Sequence, residues 1–253
     1  LTNLKIFLDQ KAAQYNSPAF IESDPISVPH MFSRKEDIEI AGFFAATLAW
    51  GQRKMAIANA RRLMAMMDMA PHDFVLNFSD NDVKPFRQFV HRTFNGTDCE
   101  YFLWALKNIY QNHCDIENAF CPVPQKCTDV TTALINFRNT FFAPDHPQRT
   151  EKHIANVLKN ATAKRLNMFL RWMVRRDDNG VDFGIWQRIS PAQLICPLDV
   201  HSGRVARKLG LLPAGADNFA TALSLTGRLR VLDANDPVRY DFALFGLGIF
   251  ERF

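Results

Sequence analysis

Few cysteines, few glycines and no long apolar run mark this 253-residue chain. Cysteine occurs five times, at Cys99, Cys114, Cys121, Cys127 and Cys196. The number is odd and the chain is long enough to bury its own core. A disulfide-stapled scaffold is therefore not expected, and reduced thiols in a cytoplasmic protein are the simplest reading. Glycine occurs only 11 times, and no segment alternates apolar and polar residues over the length of a strand. This leaves no β-run, internal repeat or low-complexity tract. Because no window of about 18 residues is uniformly apolar, a membrane span is not expected. The opening Leu1-Thr2-Asn3-Leu4-Lys5 lacks the order of a signal peptide, and without an initiator methionine the first residues are expected to be missing or processed.

What is present is ordinary globular material, 47% hydrophobic and 22% charged, with a net charge of +4 that tolerates a polyanionic partner without demanding one. Helical spacing dominates. Ile40, Phe43, Phe44, Thr47 and Leu48 recur at three- and four-residue steps after Asp37, and Trp50-Gly51-Gln52-Arg53 breaks that run before a second helix through Ile57 and Arg61 to Met67. Further helices are expected over about 98–110, 131–141, 153–160, 162–175, 199–209, 218–232 and 236–250. Asp236 reads as the N-cap of the last and Pro237 as its first residue. Pro122-Val123-Pro124 and the stretch from Phe142 to Thr150 read as loops. The fold class is expected to be all-α, as one unit or as two lobes of about 30–150 and about 151–253 plus the N-terminal segment.

Two positions carry chemistry. Asp199 begins a helix after Pro197-Leu198, where its carboxylate accepts backbone N–H bonds at the positive end of the helix dipole and stays ionised. Lys164, in Thr162-Ala163-Lys164-Arg165-Leu166, falls in the first turn of a helix if Thr162 is the cap. The dipole disfavours a cation there and raises the share of free amine available as a nucleophile. Both residues also have plain structural readings, an N-capping aspartate and a solvated lysine on a basic stripe with Arg171 and Arg175.

The run Leu198-Asp199-Val200-His201-Ser202-Gly203-Arg204-Val205, following a lysine that opens an apolar helix, resembles the helix–hairpin–helix DNA glycosylase superfamily. Members commonly carry Val-Asp-Thr-His-Val-x-Arg-Val before a basic helix. The resemblance implies a two-lobed helical bundle, with Asp199 as the catalytic aspartate and Lys164 as the lysine of the bifunctional members. The family hairpin Leu-Pro-Gly-Val-Gly is replaced here by Lys159-Asn160-Ala161-Thr162-Ala163, without glycine. The separation of 35 positions between Lys164 and Asp199 is longer than in most members. In its lengthened connection the chain resembles the archaeal 8-oxoguanine glycosylases. The words from Lys164 to Met173 and from Asp236 to Phe245, with Asp37-Ile38-Glu39-Ile40 and Ala49 to Arg53, also resemble a bacterial family of conserved proteins of unknown function.

The implied activity is a base-excision glycosylase with AP-lyase activity on an oxidised purine such as 8-oxoguanine, working as a monomer on double-stranded DNA with a damaged base. A carboxylate stabilises the positive charge that develops on the sugar, and an amine attacks the anomeric carbon to give a Schiff base. The nucleotide must first leave the stack. Gln52 and Arg53, at the break between two helices, are candidate wedges. Trp172, Phe183 and Trp186 are candidates for stacking on the extruded base, although core positions are the commoner fate of aromatics. Arg204, Arg207 and Lys208 on the helix after Asp199, with Arg165, Arg171 and His201, are candidate DNA contacts. No cofactor or metal is expected, because Cys114, Cys121 and Cys127 lack a close Cys-x-x-Cys pair. A non-catalytic nucleic-acid-binding helical protein and a helical enzyme for a nucleoside-like small molecule are the alternatives.

Overall fold

The computed structural model describes residues 2–122 and 127–253. Among these residues there is no β-strand, only an isolated antiparallel bridge between His91 and Phe94, and the fold class is all-α. Two compact units are formed, one of Leu1–Ile21 with Asn156–Phe253 (the terminal unit) and one of Glu22–Ala155 (the central unit). Among the described residues no helix is long and apolar enough to cross a membrane. Of the expected loop Pro122-Val123-Pro124, the last two residues lie outside the described ones.

The chain opens with α1 (Thr2–Tyr15) and α2 (Pro18–Glu22). The central unit follows with α3 (Lys35–Leu48), α4 (Arg53–Met66), α5 (Pro71–Asn77), α6 (Asp80–Val83), α7 (Gly96–His113), α8 (Ile116–Phe120) and α9 (Val130–Phe141). From Ile38 to Leu48, α3 is buried on every side, which makes it the core helix of this unit. Phe43 gathers Phe102, Phe137 and Phe141 around it, with ring centroids 5.4–5.6 Å away. The connection after α9 is tied down by Asp98, whose buried carboxylate accepts from Thr150 Oγ1 at 2.8 Å and from Arg149 at 2.6 Å.

The terminal unit resumes with α10 (Lys164–Val174), α11 (Val200–Lys208), α12 (Phe219–Leu232) and α13 (Tyr240–Ile249). Here α10 takes the central place, buried from Leu166 to Val174. Glycines let its neighbours close on each other. A Cβ on Gly246 of α13 would stand 2.0 Å from the Tyr15 ring of α1, and one on Gly248 would stand 3.2 Å from His201 of α11.

Two helix expectations need correcting. Residues 153–160 do not form a helix but pass through 3-10 turns at Gln148–His153 and Val157–Lys159. The Asn156 side chain accepts from Leu158 N and Asn160 turns left-handed, so the backbone is closed off before a second α-turn can form. Asp236 makes no side-chain cap to the Pro237–Arg239 turn. Its carboxylate instead takes the Arg175 guanidinium at 2.8 Å, a stronger bond than a neutral cap.

Candidate functional site

Lys164 is the first residue of α10, but Thr162 is not its cap; that place belongs to Ala163, in left-handed backbone at φ 52°. Asn160 is also left-handed, at φ 60°, and its side chain and carbonyl accept from Ala220 N and Phe219 N at the start of α12. The turn before Lys164 therefore contains two left-handed residues without a glycine. Asparagine accepts this conformation at little cost, whereas alanine there stores strain of about 1 kcal/mol or more.

Asp199 is the N-cap of α11, and its two oxygens divide the work. Oδ1 accepts from His201 N at 2.9 Å and Ser202 N at 3.0 Å, while Ser202 Oγ accepts in return from Asp199 N at 2.9 Å. This leaves Oδ2 for Lys164 Nζ, at 3.1 Å. Both side chains are partly open, 28% for Lys164 and 24% for Asp199, so the pair is neither sealed in the core nor loose on the surface. Burial works against ionisation of Asp199, but the Lys164 ammonium and the Ser202 and His201 amides outweigh it and hold the carboxyl below its ordinary value.

Behind this pair lies a buried charge network that inspection of the sequence missed. Asp241, the second residue of α13, takes the Arg171 guanidinium at 2.5 Å, and Arg171 Nε reaches Asp182 at 3.2 Å. Arg175 also bridges to Asp182 at 3.0 Å. Burial, with help from the charge of Asp199 and against the pull of Arg171, pushes the Asp241 carboxyl up to about 6. The one available signal was an acid set in the apolar run Phe242-Ala243-Leu244-Phe245. The expected basic stripe is thereby corrected. Arg171 and Arg175 are both buried and already neutralised, because α10 is enclosed on all sides rather than on one face.

The remaining expected residues separate in the same way. Arg204 and Lys208 are exposed on α11, Arg204 donating to Gly248 O at 3.0 Å and Lys208 lying over the Phe253 ring. Arg207 is committed to Asp217 at 2.6 Å and to the carbonyls of Pro213 and Gly215. His201 is exposed, and Arg165 is half-buried, with burial pushing its guanidinium down to about 10. Trp172 is fully buried and Trp186 nearly so, edge-on to Phe169, so both are core residues in this arrangement. Phe183 stays half-exposed, anchored through its N–H to Trp172 O at 2.8 Å. Gln52 and Arg53 belong to the central unit, as the N-cap and first residue of α4. Among the described residues no three His, Cys, Asp or Glu side chains converge as metal ligands.

The geometry is that of a partly open amine ion-paired with a carboxylate fixed by a helix cap. No curated protein and no solved structure matches the chain. A family model described as "Protein of unknown function (DUF2400)" matches residues 24–250, from before α3 to the end of α13, and the chain belongs to that family.

Proposed function

We propose that the chain is a DNA glycosylase of the helix–hairpin–helix type with AP-lyase activity, acting on an oxidised purine such as 8-oxoguanine. The observation that carries the reading is the 3.1 Å contact between Lys164 Nζ and Asp199 Oδ2, made by partly open side chains held on two helix starts. In this reaction the Lys164 ammonium loses its proton to the carboxylate within reach. The amine nitrogen then bonds to the sugar's anomeric carbon while the glycosidic bond breaks, and the base leaves with that electron pair and with the proton passed on by Asp199, which is thereby a carboxylate again. Asp199 stays fixed beside the positive charge on the sugar, where a preoriented carboxylate does most. The sugar ring then opens, the C1′–O4′ bond breaking as O4′ takes a proton from the nitrogen, and the resulting Schiff base allows β-elimination of the 3′ phosphate. The turn before Lys164 is glycine-free, yet Asn160 and Ala163 adopt the left-handed backbone that a glycine would otherwise supply.

Borohydride trapping on a panel of lesion-containing duplexes tests the proposal. A covalent adduct present in the wild type and absent in Lys164→Gln is the expected result. Base release without trapping would reduce the reading to a monofunctional enzyme, and absence of both would end it.

A further inference from the structure

The central unit carries a charged face that the Lys164–Asp199 pair does not use. From Gly51 to Met67 the chain has four basic side chains (Arg53, Lys54, Arg61 and Arg62) and no acidic one, so this stretch alone equals the net charge of +4 of the whole protein. The apolar side of α4, with Ala56, Ala60, Leu63 and Met64, is buried in the unit. Lys54, Arg61 and Arg62 all lie on the exposed side, flanking exposed Ala58 and Ala65, whose short side chains permit a close approach. The hairpin bridged at His91 and Phe94 adds a fourth cation. Exposed Arg92 stacks over the Trp50 ring at 5.0 Å and lies against Gly51, at the N-terminal end of α4. The hairpin is fixed there by His91, whose Nδ1 is 2.9 Å from the Asn59 side chain. Lys54, Arg61, Arg62 and Arg92 form no ion pair among the described residues, whereas Arg87, Arg138 and Arg149 of the same unit are all paired with carboxylates.

We propose that the exposed face of α4, continued at its N-terminal end by Arg92, is a contact surface for the phosphate backbone of double-stranded DNA. The inference rests on DNA as the partner in the reading above, but not on the chemistry of Lys164. From Lys54 to Arg61 the helix rises about 10 Å, the axial length of roughly three nucleotides of one strand. Unpaired cations bordering small residues suit a polyanion that is gripped without being read base by base. A membrane surface is the poorer match, because a surface-bound helix needs a free apolar face and that of α4 is already occupied by its own unit.

Binding of the full-length chain to an undamaged duplex of about 25 base pairs, titrated across a salt series, tests the proposal. Lys54→Gln/Arg61→Gln is expected to bind at least ten-fold more weakly and to flatten the salt dependence by about two contacts' worth, near 0.9 per phosphate. Adding Arg92→Gln is expected to weaken binding further, with circular dichroism unchanged throughout. Lys164→Gln, run in parallel, is expected to keep this binding while losing the trapped adduct. Failure of trapping in the wild type with charge-dependent duplex binding intact would thus overturn the enzyme and leave the surface standing. Duplex affinity and salt slope unmoved in the α4 variants would overturn the surface. So would charge-dependent binding to phosphatidylserine vesicles in place of duplex.

Discussion

Arg171 and Asp241 meet at 2.5 Å inside the terminal unit, tying the central helix α10 to α13 two turns beyond Lys164. The same guanidinium also serves Asp182. Arg171→Ala would leave both carboxylates in a dry interior with one of their two cations gone. Removing one partner of a buried ion pair costs about 3–5 kcal/mol, far more than losing a surface pair. The urea midpoint of the variant is expected to fall accordingly. A loss under about 1 kcal/mol would mean that the network is solvated and is not the clamp described.

Asp199→Asn separates the cap from the chemistry. Asparagine caps a helix as well as aspartate, and its carbonyl oxygen can still accept from His201 N and Ser202 N, so stability is expected to change by under about 1 kcal/mol. The negative charge beside Lys164 is lost, and base release is expected to fall by about a hundred-fold or more, as when a preoriented electrostatic group is removed. A variant that folds normally and releases base at the wild-type rate would reduce Asp199 to a capping residue.

Asp241 also sets a pH dependence. Its folded-state value, pushed up to about 6, lies above the ordinary carboxyl value of 3.8. The stability it contributes is therefore complete below the unfolded value and is lost as pH rises through about 6. Asp241→Asn has no such titration, so relative to wild type it is expected to gain of order 1–3 kcal/mol between about pH 4.5 and about pH 7.5. Carboxylates held low, such as Asp199, lose their contribution as pH falls and act in the opposite sense in both proteins, so the comparison between the two isolates Asp241. Parallel urea midpoints across this range would count against the buried-acid assignment.

Much of this was legible in the chain. The periodic runs gave α4, α7, α9, α11 and α12 to within a few residues, because each has one dominant apolar face or a polar cap at its start. The helix α3 was legible from its recurring large apolar residues although it is buried all round. Asp199 was readable as a cap for the same reason. Arg171 was misread as a surface cation because periodicity sorts residues by face, while α10 has no open face for a charge to occupy. Asp241 was invisible for the complementary reason. Its role comes from an arginine 70 positions away, and no local pattern encodes that pairing. The first helix, α1, was also missed: buried Leu8 and Ala12 are its only core residues, and its place is set by α13 at the far end of the chain.

The turn before Lys164 yields a last expectation, because Asn160 serves it twice. Its left-handed backbone turns the chain, and its side-chain oxygen caps the start of α12 at Ala220 N, 3.0 Å away. Asn160→Gly keeps the first role and loses the second, so only the cap's share is forfeited, about 0.5–1 kcal/mol. Asn160→Ala loses the cap and adds left-handed strain, for about 2 kcal/mol in all. Stability should therefore rank Asn above Gly above Ala, and any fall in Lys164 trapping should follow that order, since the lysine is placed by this turn. If Ala proved as stable as Gly, the left-handed geometry at Asn160 would not be what positions α10.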